Sequence, residues 1–263
     1  MANKFFLSFL LLVGCVSGMP EHNPVLESTY VPDIQLPDKV VFNCPSEMNW
    51  VHGLFCTKVQ QNCKTYLDPE DSKFSRRCAE FEPTVCVGEK APMSYCMDIE
   101  EYSEDHLLPK SNVSWTEAKS ICESSGKRLC SEPEWTFACE GEDSLPYATG
   151  TSRPSNICNM DIEKGTVCGN ELCDHRVSIK SNPDCLSPFL IHNMPGNTDE
   201  WIEVPKYQHS KITNLWMRSS LKGGHWLPVR NRCRPKTADH EENFFKKVSI
   251  GFRCCKDSDD LPQ

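Results

Sequence analysis

Two segments of the chain carry apolar residues at the spacing of an amphipathic helix. In NVSWTEAKSICESSGK, Ser114 and Glu117 form the S-x-x-E pattern, in which a serine and a glutamate cap the first turn of a helix. Gly126 follows and can adopt the left-handed conformation that ends a helix. The pattern predicts a helix whose buried face consists of Trp115, Ala118, Ile121 and Cys122.

The second segment, CSEPEWTFACEG, repeats this start signal at Ser131 and Glu134. Pro133 falls in the first turn, where a proline is tolerated, and Gly141 is placed to stop the helix. The predicted buried face consists of Trp135, Ala138 and Cys139.

Elsewhere the apolar runs are short, and glycine, proline, asparagine and aspartate interrupt them every few residues. This pattern is typical of short strands joined by turns. We therefore expect an irregular α+β fold with little regular secondary structure. The predicted strands cover residues 48–51, 93–97, 201–204, 219–223 and 251–254.

The N-terminus has the pattern of an export signal. Lys4 precedes an apolar run over residues 5–13, which is too short to cross a bilayer as a helix. The sequence LVGC at residues 12–15 resembles a bacterial lipobox, in which Cys15 would carry the lipid; ordinary cleavage near Gly18 is the alternative. The predicted organisation is a signal at 1–19, an extended tether at 20–40, a single domain at 41–255 and a disordered tail at 256–263.

Cysteine usage indicates an oxidising compartment. The chain has 17 cysteines, which is far more than a cytosolic protein of this size tolerates. If Cys15 carries lipid, the remaining cysteines are even in number and can all pair. We expect an exported protein, either a cell-envelope lipoprotein or a secreted one, with a lipid anchor as its only attachment to the membrane.

Charge is unevenly distributed. The net charge is −9, yet residues 204–238 contain no Asp or Glu. This asymmetry can direct a positive field at an anionic partner, whereas an acidic chain without an RNA or DNA motif is a poor fit to nucleic acid. The alternative is that the arginines pair with acids from elsewhere in the fold. The basic residues of the segment are Lys206, Lys211, Arg218, Lys222, Arg230, Arg232, Arg234 and Lys236.

Four ordered segments carry a family resemblance. They are VSWTEAKSICESSGKRLCSEPEWTFACEG at 113–141, the stretch at 147–150, SPFLIHNMPGNTDEWIE at 187–203, and LKGGHW … RNRCRP … SIGFRCC towards the C-terminus. Together they resemble the formylglycine-generating enzyme family, also called the sulfatase-modifying factor domain. The resemblance implies a compact irregular fold that is distantly related to C-type lectins.

Some members of that family are copper-dependent oxidases that use two cysteines shortly after the GGS-aromatic motif. Two converging thiolates are soft ligands suited to Cu(I). Here Leu227 and Pro228 follow the GGHW motif, at the place of the first catalytic cysteine, and Cys233 alone remains nearby. The resemblance therefore implies copper only if Cys233 supports an unorthodox site.

The resemblance also implies a structural calcium. Asn197 would supply a side-chain oxygen, Thr198 a backbone carbonyl and Glu200 a carboxylate, and such oxygen ligands suit a hard cation. A second site would involve Asn156 and the carbonyl of Ile157. The alternative is a hydrogen-bonded turn without a metal.

From these features we expect an exported, lipid-anchored, non-catalytic domain that binds an envelope or extracellular ligand, with an anionic glycan or peptide as the favoured class. Two alternatives stay open: a copper-dependent formylglycine-generating oxidoreductase acting on sulfatase cysteines, and a purely structural envelope domain. An exposed Trp226 would favour binding, and a buried one would favour a scaffold. The predicted ligand-binding residues are His225, Trp226, Arg230, Arg232, Arg234, Lys236 and His240.

Overall fold

The computed structural model of the protein describes residues 44–72, 76–209, 214, 216–228, 230–237 and 240–258. The predicted signal or lipobox with Cys15 and the predicted tether at 20–40 lie outside these residues and stay predictions. Within the described residues, no helix is both long and apolar enough to cross a membrane.

Both predicted helices are confirmed. Helix α1 (Trp115–Ser124) begins after Ser114, whose hydroxyl accepts a hydrogen bond from the backbone N–H of Glu117 at 3.2 Å. Helix α2 (Glu132–Glu140) begins after Ser131, whose N–H donates to the Glu134 carboxylate at 2.8 Å, and it ends at Gly141 with φ +65°.

The described strands are short, as the interrupted apolar pattern predicts. They are β1 (Met48–Cys56), β2 (Val59–Gln60), β3 (Cys63–Tyr66), β4 (Cys78–Phe81), β5 (Val85–Cys86), β6 (Lys90–Asp98), β7 (Arg128–Leu129), β8 (Val167–Cys168), β9 (Glu171–Leu172), β10 (Asp199–His209), β11 (Trp216–Lys222), β12 (Lys236–Thr237), β13 (Ile250–Phe252) and β14 (Cys254–Asp257).

Two four-stranded sheets form the centre of the fold, in the orders β1-β6-β14-β7 and β12-β11-β10-β13. Strands β1 and β6 pair antiparallel along their whole length, whereas β13 joins β10 in parallel. Four predicted strands fall on one element each, with Gly223 just beyond the end of β11, whereas the predicted strand 251–254 is divided between β13 and β14 at Arg253. The prediction that the chain leaves the fold after Cys255 is wrong for Lys256 and Asp257, because both belong to β14 and pair with β6.

The core lies where the two helices pack against the two sheets. The buried face of α2 meets Val51 and Met97 of the first sheet, with Trp135 fully buried among them. The buried face of α1 meets Trp201 and Phe252 of the second sheet. The faces assigned from helical spacing are therefore the faces that the structure buries.

All sixteen cysteines of the described residues form disulfides, so none of them is a free thiol. This confirms that the cysteines other than Cys15 can pair completely, and the crosslinks offset the loss of chain entropy in a loop-rich fold. The pairs are Cys44–Cys96, Cys56–Cys86, Cys63–Cys78, Cys122–Cys254, Cys130–Cys255, Cys139–Cys233, Cys158–Cys185 and Cys168–Cys173.

Candidate functional site

The glycine pair of the GGHW motif lets the chain turn tightly beside α2. Gly223 and Gly224 have φ values of +85° and +71°, which side chains other than that of glycine rarely adopt. A Cβ on Gly223 would lie 2.6 Å from the carbonyl oxygen of Met194, and one on Gly224 would lie 2.9 Å from the side-chain nitrogen of Asn231. Both glycines are required by close packing.

Trp226, predicted to offer an exposed stacking face, is completely buried, with 0% of its surface accessible. Its ring meets those of His175 and His225 edge-to-face, at centroid distances of 6.3 and 5.3 Å. Burial lowers the pKa of His225 to about 4, so its imidazole stays neutral at ordinary pH. The prediction of a ligand surface at Trp226 is wrong, because the indole is needed inside the fold.

The predicted basic patch is neutralised by carboxylates from other elements, as the alternative reading of the segment anticipated. Two of these acids are deeply buried: the side chain of Glu140 is 0% exposed and that of Asp199 is 5% exposed. Burial raises the pKa of Asp199 to about 6, although the nearby Arg230 opposes this rise. The ion pairs are Arg230–Asp199 at 2.9 Å, Arg234–Glu140 at 2.5 Å and Lys236–Glu132 at 2.5 Å.

The other two residues of the predicted patch also lie against the protein. The guanidinium of Arg232 lies over the ring of Phe81, 5.3 Å from its centroid. His240 stacks on Phe245 at a centroid distance of 4.0 Å. Neither side chain is presented as part of a cationic surface, so the seven predicted ligand-binding residues do not form one open site.

Cys233 cannot act as the single active-site thiol in the folded protein. It forms a disulfide with Cys139 of α2, and both residues have no accessible surface. Leu227 and Pro228 stand where the resemblance implies the first catalytic cysteine, and neither has a thiol. In this disulfide-bonded state Cys233 offers no thiol to the alternative in which it would be catalytic.

The residues predicted to hold calcium are occupied by hydrogen bonds to the protein. The side-chain oxygen of Asn197 accepts from the Asn159 amide at 3.0 Å and from the backbone N–H of Val177 at 2.9 Å. Both lone pairs of this oxygen are thus in use. Asn197 fits the alternative of a hydrogen-bonded turn and does not fit a calcium ligand.

Both carboxylate oxygens of Glu200 are also occupied by hydrogen bonds to the protein. Its two carboxylate oxygens accept from the guanidinium of Arg253 at 2.8 and 2.7 Å, and one also accepts from the Trp135 indole at 2.7 Å. A cation would have to displace a buried arginine to reach this carboxylate. The donor set of the first predicted site therefore does not fit calcium.

The second predicted calcium site, at Asn156 and the carbonyl of Ile157, stays a prediction. Asn156 is exposed, and Ile157 takes part in a turn in which its N–H donates to the carbonyl of Pro154 at 3.0 Å. Among the residues that the structure describes, no group of three or more His, Cys, Asp or Glu side chains could hold a metal ion.

The calcium segment instead surrounds a buried acid that the sequence did not single out. Glu101 is 1% exposed, and its carboxylate accepts from the Thr198 hydroxyl and from the Asn197 amide, each at 2.6 Å. Burial raises the pKa of Glu101 to about 8, and the neighbouring Glu200 adds to this rise. The only signal was the pair of glutamates in DIEEY, which says nothing about burial.

The raised pKa of Glu101 predicts a loss of stability with rising pH. The ordinary pKa is 4.5, so above that pH the unfolded chain loses this proton, whereas the folded chain keeps it up to about pH 8. Glu101→Gln removes the titration. We expect the variant to gain roughly 4 kcal/mol in free energy of unfolding over the native chain at pH 8, and less than about 0.5 kcal/mol at pH 4.5. Denaturant titrations with disulfides intact would measure the free energy of unfolding of both proteins at both pH values. The same pH dependence in the variant and the native chain would contradict the raised pKa of Glu101.

Comparison with known proteins supports the fold. A sequence profile described as the sulfatase-modifying factor enzyme 1-like domain matches residues 70–258. Two solved structures resemble most of the chain: CarF, with a TM-score of 0.51 and 15% identity over 82% of this chain and 99% of its own, and Treponema denticola variable protein 1, with a TM-score of 0.50 and 12% identity over 80% and 94%. At such identities the likeness concerns the fold alone.

Curated relatives include active and inactive enzymes. The inactive C-alpha-formylglycine-generating enzyme 2 of Bos taurus is 28% identical over 56% of this chain and 50% of its own length. The formylglycine-generating enzyme of Mus musculus is 24% identical over 60% and 48%, and that of Mycobacterium tuberculosis is 23% identical over 72% and 69%. The chain thus spans about half the length of the two mammalian relatives.

Proposed function

The chain belongs to the sulfatase-modifying factor enzyme 1-like family, and from that premise we propose that it is a non-catalytic, exported member that binds an envelope or extracellular ligand. The fold of the family is retained from the first sheet to the last strand. Because the scaffold is kept while the thiol pair of the oxidase relatives is missing, we expect it to bind a ligand without turning it over.

One observation carries the proposal: the buried disulfide between Cys139 and Cys233. The oxidase chemistry implied by the resemblance needs two accessible thiols that converge on one point. Here the nearest cysteine is crosslinked inside the core, and Pro228 stands where its partner would lie. A bovine relative carrying the name of an inactive enzyme is consistent with this loss.

The eight disulfides indicate an oxidising compartment outside the cytoplasm. The proposed anchor is a lipid on Cys15, which lies outside the described residues. Intact-mass analysis of the protein extracted from its own envelope would distinguish lipidation of Cys15 from cleavage near Gly18.

A binding role is consistent with the rigid attachment of the loops to the fold. Long connections with little secondary structure are braced by disulfides and buried ion pairs, so their surfaces need little ordering when a ligand arrives. The burial of Trp226 favours the structural alternative for residues 222–236, so the proposed ligand site must lie on another part of the surface.

The proposal predicts no turnover. The oxidatively folded protein is incubated with a sulfatase-type cysteine peptide, copper, oxygen and a thiol reductant, and the peptide mass is followed. We expect no conversion to the aldehyde, since the Cys139–Cys233 bond is shielded from the reductant. The mouse enzyme assayed in parallel serves as the positive control. Aldehyde formed at a rate near that of the control would overturn the non-catalytic assignment.

A further inference from the structure

A groove with basic walls opens on the surface between residues 104–112, 170–176 and 246–249. Its volume is about 800 Å³, within the range of roughly 300–1,000 Å³ typical of small-molecule sites. Loop 104–112, the β8–β9 hairpin and the segment 246–249 form its walls. We call it the basic groove, after the four cations that line it: Lys110, Arg176, Lys246 and Lys247.

The charge of the basic groove runs against that of the whole protein. Four basic side chains line it against two acidic ones, Glu104 and Glu171, whereas the complete chain carries a net charge of −9. Concave surfaces lined by one sign of charge concentrate ions of the opposite sign. The basic groove therefore favours a negatively charged occupant.

Two of these cations, Lys110 and Lys246, are held more loosely than those of residues 222–236, whereas Arg176 is fixed by a bidentate pair with Asp174 at 2.7 and 2.9 Å. The acids that pair with Lys110 and Lys246 are Glu104, with a side chain 65% exposed, and Glu117, 48% exposed. Exposed pairs of this kind contribute only about 0–1 kcal/mol, so a ligand can replace them. Lys247 is exposed and has no ion pair among the described residues. In contrast, Arg234 is bound to a fully buried carboxylate and cannot turn to a ligand.

The remaining walls indicate the chemistry of the occupant. Hydroxyl and amide groups of Ser111, Asn112, Asn170 and Ser249 line the basic groove, and no aromatic ring does. A nucleobase would lack a surface on which to stack, whereas a sugar would find partners for its hydroxyl groups. An anionic ligand rich in hydroxyl groups fits this lining best.

The basic groove is preformed. The β8–β9 hairpin on one side is closed by the Cys168–Cys173 disulfide. On the other side, the backbone N–H of Asn112 donates to the carbonyl of Lys247 at 3.0 Å, which ties loop 104–112 to the segment that carries the two lysines. A ligand would therefore meet an ordered site and lose little free energy in shaping it.

We propose that the basic groove binds an acidic oligosaccharide, with Lys246 and Lys247 as the main contacts to its sulfate or carboxylate groups. This inference rests on the proposed ligand-binding function and gives it a location and a ligand class. It also transfers the anionic-ligand expectation from residues 222–236 to a different set of residues.

The test measures binding of two acidic probes to the full chain by calorimetry. The probes are a sulfated heparin tetrasaccharide and a tetragalacturonate, which carries carboxylates alone; a neutral cello-tetraose is the negative control. We expect one or both acidic probes to bind, and Lys246→Gln with Lys247→Gln to weaken binding at least 10-fold. Raising the salt concentration should weaken it as well, since exposed charges are screened.

Two matched variants separate the site from general electrostatics. Lys58→Gln with Lys90→Gln removes the same charge from exposed lysines that do not line the basic groove, and we expect binding within 2-fold of the native protein. Lys246→Arg with Lys247→Arg keeps the charge and should retain binding. Unchanged circular dichroism and unfolding midpoints would show that each variant is folded.

The outcomes distinguish the site from the function. If the groove pair (Lys246→Gln with Lys247→Gln) and the control pair (Lys58→Gln with Lys90→Gln) weaken binding equally, or if neither weakens it, the basic groove is not the binding site. The protein would still be one that binds an acidic ligand. Absence of binding to either acidic probe at low salt overturns the ligand class. Conversion of a sulfatase peptide to the aldehyde, in the assay described above, would instead overturn the non-catalytic function itself.

Discussion

Replacing Arg253 by methionine is expected to lower the free energy of unfolding by about 3–5 kcal/mol, because it leaves a buried carboxylate without its partner. Arg253 is 1% exposed and donates two hydrogen bonds to Glu200. Its remaining N–H groups donate to the carbonyls of Asp98, Ile99 and His192 at 2.8–3.2 Å. One side chain thus ties the end of β6 to β10 and crosslinks the two central sheets.

The measurement is a denaturant titration at neutral pH with disulfides intact. Lys64→Met serves as the control, because its pair with Glu80 is exposed on both sides and should contribute little to stability. Combining Arg253→Met with Glu200→Gln should recover part of the loss, since the second change removes the stranded charge. A cost for Arg253→Met no larger than that of the control would contradict the role given to this pair.

Removing the Cys139–Cys233 disulfide by a double change to alanine is expected to cost about 4–5 kcal/mol. The bond closes a sequence separation of 94 residues, and the gain from restricting the unfolded chain grows with loop length. It also fixes the GGHW loop to α2. The unfolding midpoint of the variant, compared with that of the native protein under oxidising conditions, measures the effect.

The chain offers an internal standard in the Cys168–Cys173 disulfide, which closes a separation of only 5 residues. Its removal should cost about 2 kcal/mol by the same relation. Equal losses for the two variants would contradict the loop-length argument. A free-thiol titration of the native protein should detect no reactive thiol among residues 44–258, and a reactive Cys233 would reopen the copper chemistry.

The parts of the fold that were predictable are those governed by local rules. Capping serines, glycine stops and helical spacing located α1 and α2, and the buried faces followed from Trp115 and Trp135. The sixteen cysteines other than Cys15 anticipated complete pairing. The overall architecture, in contrast, came from motif resemblance, because no periodicity in a loop-rich chain specifies which loops meet.

The site was mispredicted because charge pairing depends on the fold. Residues 204–238 lack acids in sequence, yet Asp199 and Glu140 reach Arg230 and Arg234 from a strand and a helix. The same limitation hid the basic groove, whose lysines at 246 and 247 stand in a stretch that also contains glutamates. Only a structure shows that Glu241 and Glu242 do not line the basic groove and that the two lysines do.

The disulfide pattern has a consequence for how the protein must be made. Cys44–Cys96, Cys56–Cys86 and Cys63–Cys78 are nested, so they can close as soon as residues 44–96 have been exported. The thiols of Cys122, Cys130 and Cys139 must wait for partners 94–132 residues downstream. Until Cys233 and then β14 emerge, these three thiols remain open to wrong pairings. A prematurely terminated chain would thus expose reactive thiols that quality control can recognise, and the last strand acts as a check that synthesis has reached Cys255.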